Sequence, residues 1–242
     1  MSLNAYSRQT ERRSRKPLNP IVRALIGEAH VIYGPPMAGK STLAAYISKM
    51  LREALGKPVK YYAIDSNLRG TEWGHKLKSI SNAEWVEVKV PRALPWMLDN
   101  TDWSKYSGVV IDSLTGVFEY VVETFGDILD PRINLMLSRF ASVLTKKMAD
   151  IAHEHKILAL MISHSAAIFT GDFYGEKDRP AFAERSLKNV DGVAKLFVRV
   201  IKEKNGVEKE IRIIKWLIHR NPNSTLRRKE IRVEEIIGEE VS

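Results

Sequence analysis

The chain has 242 residues, 44% hydrophobic and 28% charged, a composition typical of a globular domain rather than of a disordered chain. It contains no cysteine, which excludes disulfides and thiolate metal sites and fits a reducing compartment. No apolar run reaches the ~18 residues that a membrane span requires, and residues 1–28 lack the apolar segment of a secretory signal. We therefore expect a cytoplasmic protein with no membrane partner.

The net charge of +9 is concentrated in two segments. Residues 1–23 hold six Lys/Arg against one Glu, and residues 195–232 hold twelve Lys/Arg against four Glu, whereas the residues between these segments are neutral overall. Such basic segments favour an anionic partner such as nucleic acid, and a solvated basic surface without a partner is the alternative. We expect residues 1–18 to be a flexible basic arm and residues 19–242 to be one core domain.

Five apolar runs of strand length recur along the chain, at residues 30–33, 59–64, 85–90, 108–111 and 157–162. Helical patterns separate several of them, most clearly at residues 41–55 and 132–155. Continuous apolar strands that alternate with helices indicate a mainly parallel sheet covered on both faces. After residue 193, three alternating segments with turn signals at 205–206 and 221–222 predict antiparallel strands that extend this α/β sandwich.

Residues 34–41 read GPPMAGKS and match the pattern GxxxxGK[ST] in full, between a predicted strand and a predicted helix. Small residues let several backbone N–H groups point at one anion, and the start of the following helix adds positive potential. We expect Lys40 to reach the terminal phosphates of a nucleoside triphosphate and the Ser41 hydroxyl to bind Mg²⁺. The predicted nucleotide-binding residues are Gly34, Pro35, Pro36, Met37, Ala38, Gly39, Lys40, Ser41 and Thr42.

A Mg²⁺–nucleotide site also needs an acid at the end of a neighbouring buried strand. Residues 108–113 read GVVIDS, in which three apolar β-branched residues precede Asp112. We therefore predict that Asp112 completes the metal site together with Ser41.

The order of GPPMAGKS, YYAIDS, VVIDSL, a long helix and LALMISH resembles the RecA-like ATPases, most closely the RadA-type recombinases and their core-only paralogues. The resemblance covers residues 19–237 and implies a RecA-like three-layer sandwich that uses ATP and Mg²⁺. It also implies an ATPase that binds single-stranded DNA and assists recombination or repair. Because there is no room before Asn19 for the extra N-terminal domain of full recombinases, we expect an accessory paralogue.

The resemblance extends to two further site residues. In the family, a polar pair after the long helix senses the γ-phosphate and leads into a DNA-binding loop, and Ser163 and His164 hold that place here. A histidine that only caps a strand end is the alternative. Arg220, with Lys215 second, is the candidate for the cation that reaches the nucleotide of a neighbouring subunit in a homo-oligomer, and an exposed cation beside a turn is the alternative.

Residues 165–190 show little periodicity, which predicts a long functional loop. Its aromatic and cationic side chains suit single-stranded nucleic acid, whereas a lid over the nucleotide or a disordered loop without a ligand is the alternative. The predicted DNA-binding residues are Phe169, Phe173, Tyr174, Lys177, Arg179 and Arg185. The segment 117–129 holds the place of the family's first DNA loop, but its acidic residues are poor phosphate ligands, so we do not assign it to DNA.

One position departs from the family pattern. RecA-type ATPases place a catalytic glutamate after the second core strand, in a pattern like IDTEG, whereas this chain reads IDSNL with Asn67 at that position. An amide can hydrogen-bond water but cannot accept its proton. Either hydrolysis is slow, or Glu72 or Asp65 takes this role.

Three other functions are left open. The first is a weakly hydrolysing regulatory module for a recombinase or helicase partner, which Asn67 favours. The second is a hexameric DnaB-like or KaiC-like motor. A small-molecule kinase is less favoured, because the second acid ends a buried strand and a β-rich basic extension follows the core.

Overall fold

The computed structural model describes residues 16–125, 131–170, 173–180, 184–202 and 207–238, and the arm before residue 16 lies outside them. Its helices are α1 (Pro20–Ala24), α2 (Lys40–Leu55), α3 (Glu72–Ser81), α4 (Leu94–Asp99), α5 (Leu114–Phe125), α6 (Pro131–His155), α7 (Glu184–Leu187) and α8 (Val233–Ile237). Its strands are β1 (Ala29–Gly34), β2 (Val59–Ala63), β3 (Glu84–Glu87), β4 (Gly108–Asp112), β5 (Leu158–Thr170), β6 (Phe173–Pro180), β7 (Gly192–Lys202), β8 (Glu208–His219) and β9 (Glu230–Arg232).

The strands form one sheet in the order β3-β2-β4-β5-β1-β7-β8-β9, with β6 paired to β5 alone. The pairs from β3 to β7 are parallel, and β8 and β9 continue the sheet in antiparallel fashion. This arrangement confirms the predicted α/β sandwich with a C-terminal antiparallel extension. The antiparallel part begins one strand later than predicted, because β7 pairs in parallel with β1.

Both faces of the sheet are covered, which explains why the central strands read as continuous apolar runs. On β1, Val31 and Tyr33 pack with α6 residues such as Met148 on one face. Ile32 points to the opposite face and packs with α2 residues such as Leu43. Helix α6 confirms the predicted helix at residues 132–155 to within one residue at its start.

The segment predicted to be a long loop is instead largely a β-hairpin. β5 continues to Thr170, and β6 pairs with it in antiparallel register from Phe173 to Pro180. The prediction relied on missing periodicity, but a hairpin satisfies its backbone hydrogen bonds within itself and needs no alternating face on the main core.

The prediction of the last antiparallel strand also needs correction. In the segment predicted as the last strand, residues 227–236, only Glu230–Arg232 is a strand, and helix α8 follows with Glu234 and Glu235 in its first turn. Acidic side chains there interact favourably with the positive end of the helix dipole. The place of the family's first DNA loop is helical as far as Phe125, and the turn signal at 205–206 lies outside the described residues.

Gly34→Ala is expected to lower the free energy of unfolding by at least about 3 kcal/mol, because overpacking against a backbone cannot be relieved by a rotamer change. A Cβ at Gly34 would lie 2.0 Å from the backbone oxygen of Leu196 on β7. In the control Gly70→Ala, a Cβ meets nothing within 4 Å and only a φ of +64° opposes it, at a cost of about 1 kcal/mol. Urea unfolding measures both, and equal losses would contradict the expectation.

Candidate nucleotide-binding site

The loop that joins β1 to α2 carries the phosphate-binding motif at the carboxyl end of the parallel strands. Its chain reverses through left-handed backbone at Met37 (φ 62°) and Gly39 (φ 93°). Glycine is favoured at position 39 because its φ lies in the left-handed region, and a Cβ there would also lie close to the Arg212 side chain, at 3.2 Å. Helix α2 begins at Lys40, so the N–H groups of its first turn face the loop.

Lys40 lies inside this loop and is 5% exposed. Its ammonium donates hydrogen bonds to the backbone oxygens of Gly34 (2.9 Å) and Pro35 (2.6 Å). A buried ammonium held by two carbonyls keeps one positive charge at the centre of the loop. That charge also lowers the pKa of His164 and opposes the rise in the pKa of Asp112.

Asp112 ends β4 and is 1% exposed. Its Oδ2 accepts a hydrogen bond from the Tyr61 hydroxyl at 2.6 Å, and the Ser41 hydroxyl also donates to this carboxylate. Burial raises the pKa of Asp112 to about 6, and the charge of Asp65 acts in the same direction, against the two hydrogen bonds and Lys40. The sheet thus brings together the two residues predicted to hold the metal.

Tyr61 is a fixed donor to this carboxylate. Burial, followed by the nearby charge of Asp112, raises the pKa of Tyr61 well above its ordinary value, so the phenol stays protonated. Its ring stacks on Trp85 with the centroids 4.2 Å apart. Tyr61 was not predicted as a site residue, because its position beside Asp112 is visible only in the register of β2 with β4.

A hydroxyl and a carboxylate that touch each other form a set of hard oxygen donors, which is the kind that Mg²⁺ prefers. Ser41 and Asp112 therefore fit this ion and would hold it. When bound, it would neutralise charge on the phosphate oxygens.

A cleft of about 660 Å³ opens over the loop, within the usual size range of ligand pockets. Polar residues in its wall include Lys40, Ser41 and Asp112. Apolar side chains line it as well, and they come from the loop after β2, from α3 and from α8. The apolar lining residues from these three segments are Leu68, Trp73, Val233 and Ile237, and others come from the phosphate loop, α2 and β5.

His164 lies beside the loop because its residue on β5 is paired with Gly34 on β1. Its backbone N–H donates to the Thr115 hydroxyl at 2.8 Å, which fixes the strand at this point. Burial, then the charge of Lys40, lowers the pKa of His164, while Asp65 opposes the shift. The imidazole is thus mainly neutral at pH 7, and its one N–H group can donate a hydrogen bond to a phosphate.

The segment after β2, where a water-activating acid is expected, contains one amide and one carboxylate that face the cleft. Asn67 and Asp65 both line the cleft, and Asp65 Oδ1 accepts a hydrogen bond from the backbone N–H of Asn67 at 2.9 Å. Glu72 is exposed in the first turn of α3 and is not among the described residues that line the cleft. Of the two acids considered, the structure places Asp65 in the cleft.

A cation that was not predicted from the sequence lies beside the loop. Arg212 of β8 lines the cleft beside Gly39. Arg220 is exposed just beyond the opposite end of β8, where its backbone N–H donates to the Asp191 carbonyl, and Lys215 pairs with Glu230 at 3.0 Å. The excess of Lys and Arg in residues 195–232 indicated that this region carries cations. Only the pairing of β8 within the sheet shows that Arg212 is the one at the cleft.

The residues predicted to bind DNA belong to the β5–β6 hairpin and to α7. The side chains of Phe169, Phe173, Tyr174, Lys177, Arg179 and Arg185 lie outside the described part of the chain. Their role stays a prediction.

Asp112→Asn is expected to stabilise the metal-free protein at neutral pH. The pKa of Asp112 is raised to about 6 in the folded protein and is about 3.9 in an unfolded chain. Folding therefore carries an ionisation cost that grows as the pH rises through this window. Asparagine does not titrate and still accepts from Tyr61, so its stability advantage should grow by about 3 kcal/mol between about pH 4 and pH 6 and then stay constant.

Urea unfolding in EDTA across this pH range measures the difference. Asp150→Asn, at an exposed position of α6, is the matched control and should show no such pH dependence. A stability difference for Asp112→Asn that does not change with pH would contradict the expectation.

A mainly parallel sheet with helices on both faces and a phosphate-loop motif after its first strand is the arrangement expected of a RecA-like fold. The solved structure of the RadB recombinase has this fold, with a TM-score of 0.53 and 19% sequence identity over 88% of this chain and 90% of that chain. At this identity the likeness establishes the fold alone. No protein-family model matches the sequence, and no curated protein is similar to it. In the described ranges, no helix combines the length and apolarity needed to cross a membrane.

Proposed function

We propose that this protein is a RecA-fold ATPase that binds Mg²⁺ and ATP in the cleft, binds single-stranded DNA, and assists DNA recombination or repair. The observation that carries the proposal is the meeting of Lys40, Ser41 and Asp112 at one cleft. A lysine inside an amide-lined loop and a hydroxyl in contact with a buried carboxylate together provide donors for phosphate and ligands for Mg²⁺.

In this proposal, the Lys40 ammonium exchanges its two carbonyl partners for phosphate oxygens when ATP binds. The N–H groups at the start of α2 hold the remaining phosphate charge. Neutral His164 donates to the terminal phosphate and loses that contact after hydrolysis. Arg212 adds a second cation from β8 beside the loop.

Strand β5 links the proposed phosphate site to the predicted DNA-binding surface. His164 lies on β5, and β5 continues past an irregularity between Ser165 and Ala166 into the hairpin that carries all of the predicted DNA-binding residues except Arg185. Because the two sites share this strand, a change in the contact of His164 with phosphate would shift the start of the hairpin. We therefore propose that ATP controls the affinity for single-stranded DNA.

The experiment measures ATP turnover with and without a single-stranded oligonucleotide, together with oligonucleotide binding in the presence of ATP, ADP or neither. We expect the protein to bind DNA more tightly with ATP than with ADP or without nucleotide. We expect the affinity for DNA to fall when both Lys177 and Arg179 are changed to alanine. Lys146→Ala, at an exposed position of α6, is the control. Absence of nucleotide binding by the unchanged protein would end the proposal, and equal DNA affinity in all three nucleotide states would end its DNA part.

A second candidate function is a regulatory module that holds ATP with little hydrolysis and presents its bound state to a recombinase or helicase partner. Asn67 favours it, because an amide lines the cleft where an acid is expected. The measured turnover separates the two functions. A hexameric motor would differ from both by its mass in solution with ATP, which light scattering reports.

A further inference from the structure

Two buried histidines stand in one row across three neighbouring strands, at the end of the sheet opposite the phosphate loop. His30 of β1 is paired with Gly192 of β7, and Gly192 is paired with His219 of β8. Residues paired in this way point to the same face of a sheet. Gly192 leaves the space between them open, since a Cβ there would lie 2.3 Å from His30 Nδ1.

A carboxylate closes the row. Glu28 precedes His30 by two residues, so both side chains project to the same side of the extended chain. Glu28 Oε2 lies 3.1 Å from His30 Nε2 and 3.2 Å from His219 Nε2. The three ligand atoms all lie within 4.8 Å of one another.

The hydrogen bonds within this cluster leave buried nitrogens unsatisfied. His30 Nε2 bonds to Glu28, but His219 Nε2 is misaligned for a hydrogen bond to the same oxygen. Within the described residues, neither ring nitrogen of His219 has a well-aligned hydrogen bond, and its side chain is 1% exposed. Burying unpaired polar groups is costly, so this arrangement points to a ligand at the cluster.

We propose that Glu28, His30 and His219 bind a Zn²⁺ ion. Two ligand atoms bound at zinc distances of 2.0–2.1 Å in tetrahedral geometry stand about 3.3 Å apart, close to the two separations found here. Imidazole nitrogens suit zinc and do not suit Mg²⁺, which prefers oxygen. Glu28 keeps 24% of its side chain exposed, which provides a path for the ion.

The neighbouring acid is already engaged and is not counted as a ligand. Asp191 Oδ2 accepts hydrogen bonds from the Ala29 N–H and from His153 Nε2, both at 2.8 Å. Three protein ligands therefore leave a fourth position for water.

The proposed zinc site is separate from the cleft and has a mechanical consequence. His30 stands four residues before Gly34, about 13 Å along β1 from the phosphate loop. The ion would join β1, which leads into that loop, to β8, which carries Arg212 beside it. We infer that zinc fixes the relative position of these two strands.

The test is a calorimetric titration of Zn²⁺ into the full-length, metal-stripped protein. A parallel titration uses Co²⁺ as a spectroscopic probe. We expect one ion per chain, tetrahedral Co²⁺ absorption bands, and a rise in the thermal unfolding midpoint that saturates at one equivalent. E28Q and H219Q should each weaken Zn²⁺ binding at least about hundredfold. H75Q changes an exposed histidine of α3 and should have no effect.

E28Q decides the matter if H219Q fails to fold, because the Glu28 side chain is partly exposed. Zn²⁺ binding that survives both variants would show an ion on surface histidines and overturn the proposal, as would no binding by the unchanged protein. Zinc binding is independent of the proposed ATPase function, so it should persist in K40A at full affinity.

Discussion

Lys40→Ala is expected to lower ATP turnover at least about a thousandfold and to weaken ATP binding below detection at millimolar concentrations. The ammonium is the one buried cation in the described part of the phosphate loop, and it is aimed by the carbonyls of Gly34 and Pro35. Its removal takes away the positive charge that offsets the phosphates. A fixed charge of this kind stabilises the transition state by about 4 kcal/mol. Steady-state turnover and equilibrium binding of a fluorescent ATP analogue measure both effects.

The variant must be shown to fold, because Lys40 also satisfies two carbonyls of its own loop. Thermal unfolding without nucleotide provides that check. Lys49→Ala, on the same helix and away from the cleft lining, is the matched control and should keep full ATP binding. A Lys40→Ala protein that is folded and still hydrolyses ATP at the original rate would contradict the proposed function.

Asn67→Glu is expected to raise the rate of ATP hydrolysis by about a hundredfold or more. Asn67 lines the cleft, and a glutamate there would supply a general base, which typically contributes 10²–10⁴-fold. Its neighbour Asp65 is 7% exposed and lines the same cleft, so repulsion between the two carboxylates should raise the pKa of the new acid. Single-turnover hydrolysis, compared at several pH values, separates the chemical step from product release.

Asn67→Gln lengthens the side chain by the same amount without adding a base, so it should show no gain. Asp65→Asn tests the acid next to Asn67 in the cleft and should abolish the residual hydrolysis if Asp65 is the base. Rapid turnover by the unchanged protein, with no gain from Asn67→Glu, would contradict the view that position 67 limits hydrolysis. It would also remove the support for the regulatory module.

Together the two variants separate binding from hydrolysis. Loss of ATP binding with Lys40→Ala, combined with a gain of turnover with Asn67→Glu, would describe a nucleotide site that is complete except for its base. Loss of binding without any gain would indicate that hydrolysis depends on another group, and Arg212 on β8 is then the next position to change.

Several features could be predicted from the sequence because their physics is local. The motif at residues 34–41 needs only small residues, one lysine and one hydroxyl in a fixed order, and the parallel strands are recognisable as short apolar runs. The end of a buried strand places Asp112 at the carboxyl edge of the sheet, where the loop also lies. Helix α6 was predictable to within one residue because its apolar positions repeat at helical spacing.

The remaining features depend on which strands are neighbours and in what register, and those pairings join residues far apart in the chain. The sheet continues past β1 with β7 beside it and β8 beside β7, and this brings Arg212 to the loop and His219 within reach of His30. The β5–β6 hairpin likewise satisfies its hydrogen bonds by pairing rather than by an alternating pattern. The sequence by itself determined the phosphate loop and the α/β class, whereas only tertiary pairing decided the cation beside the loop and the histidine row, because strand register is set by contacts over the whole sheet.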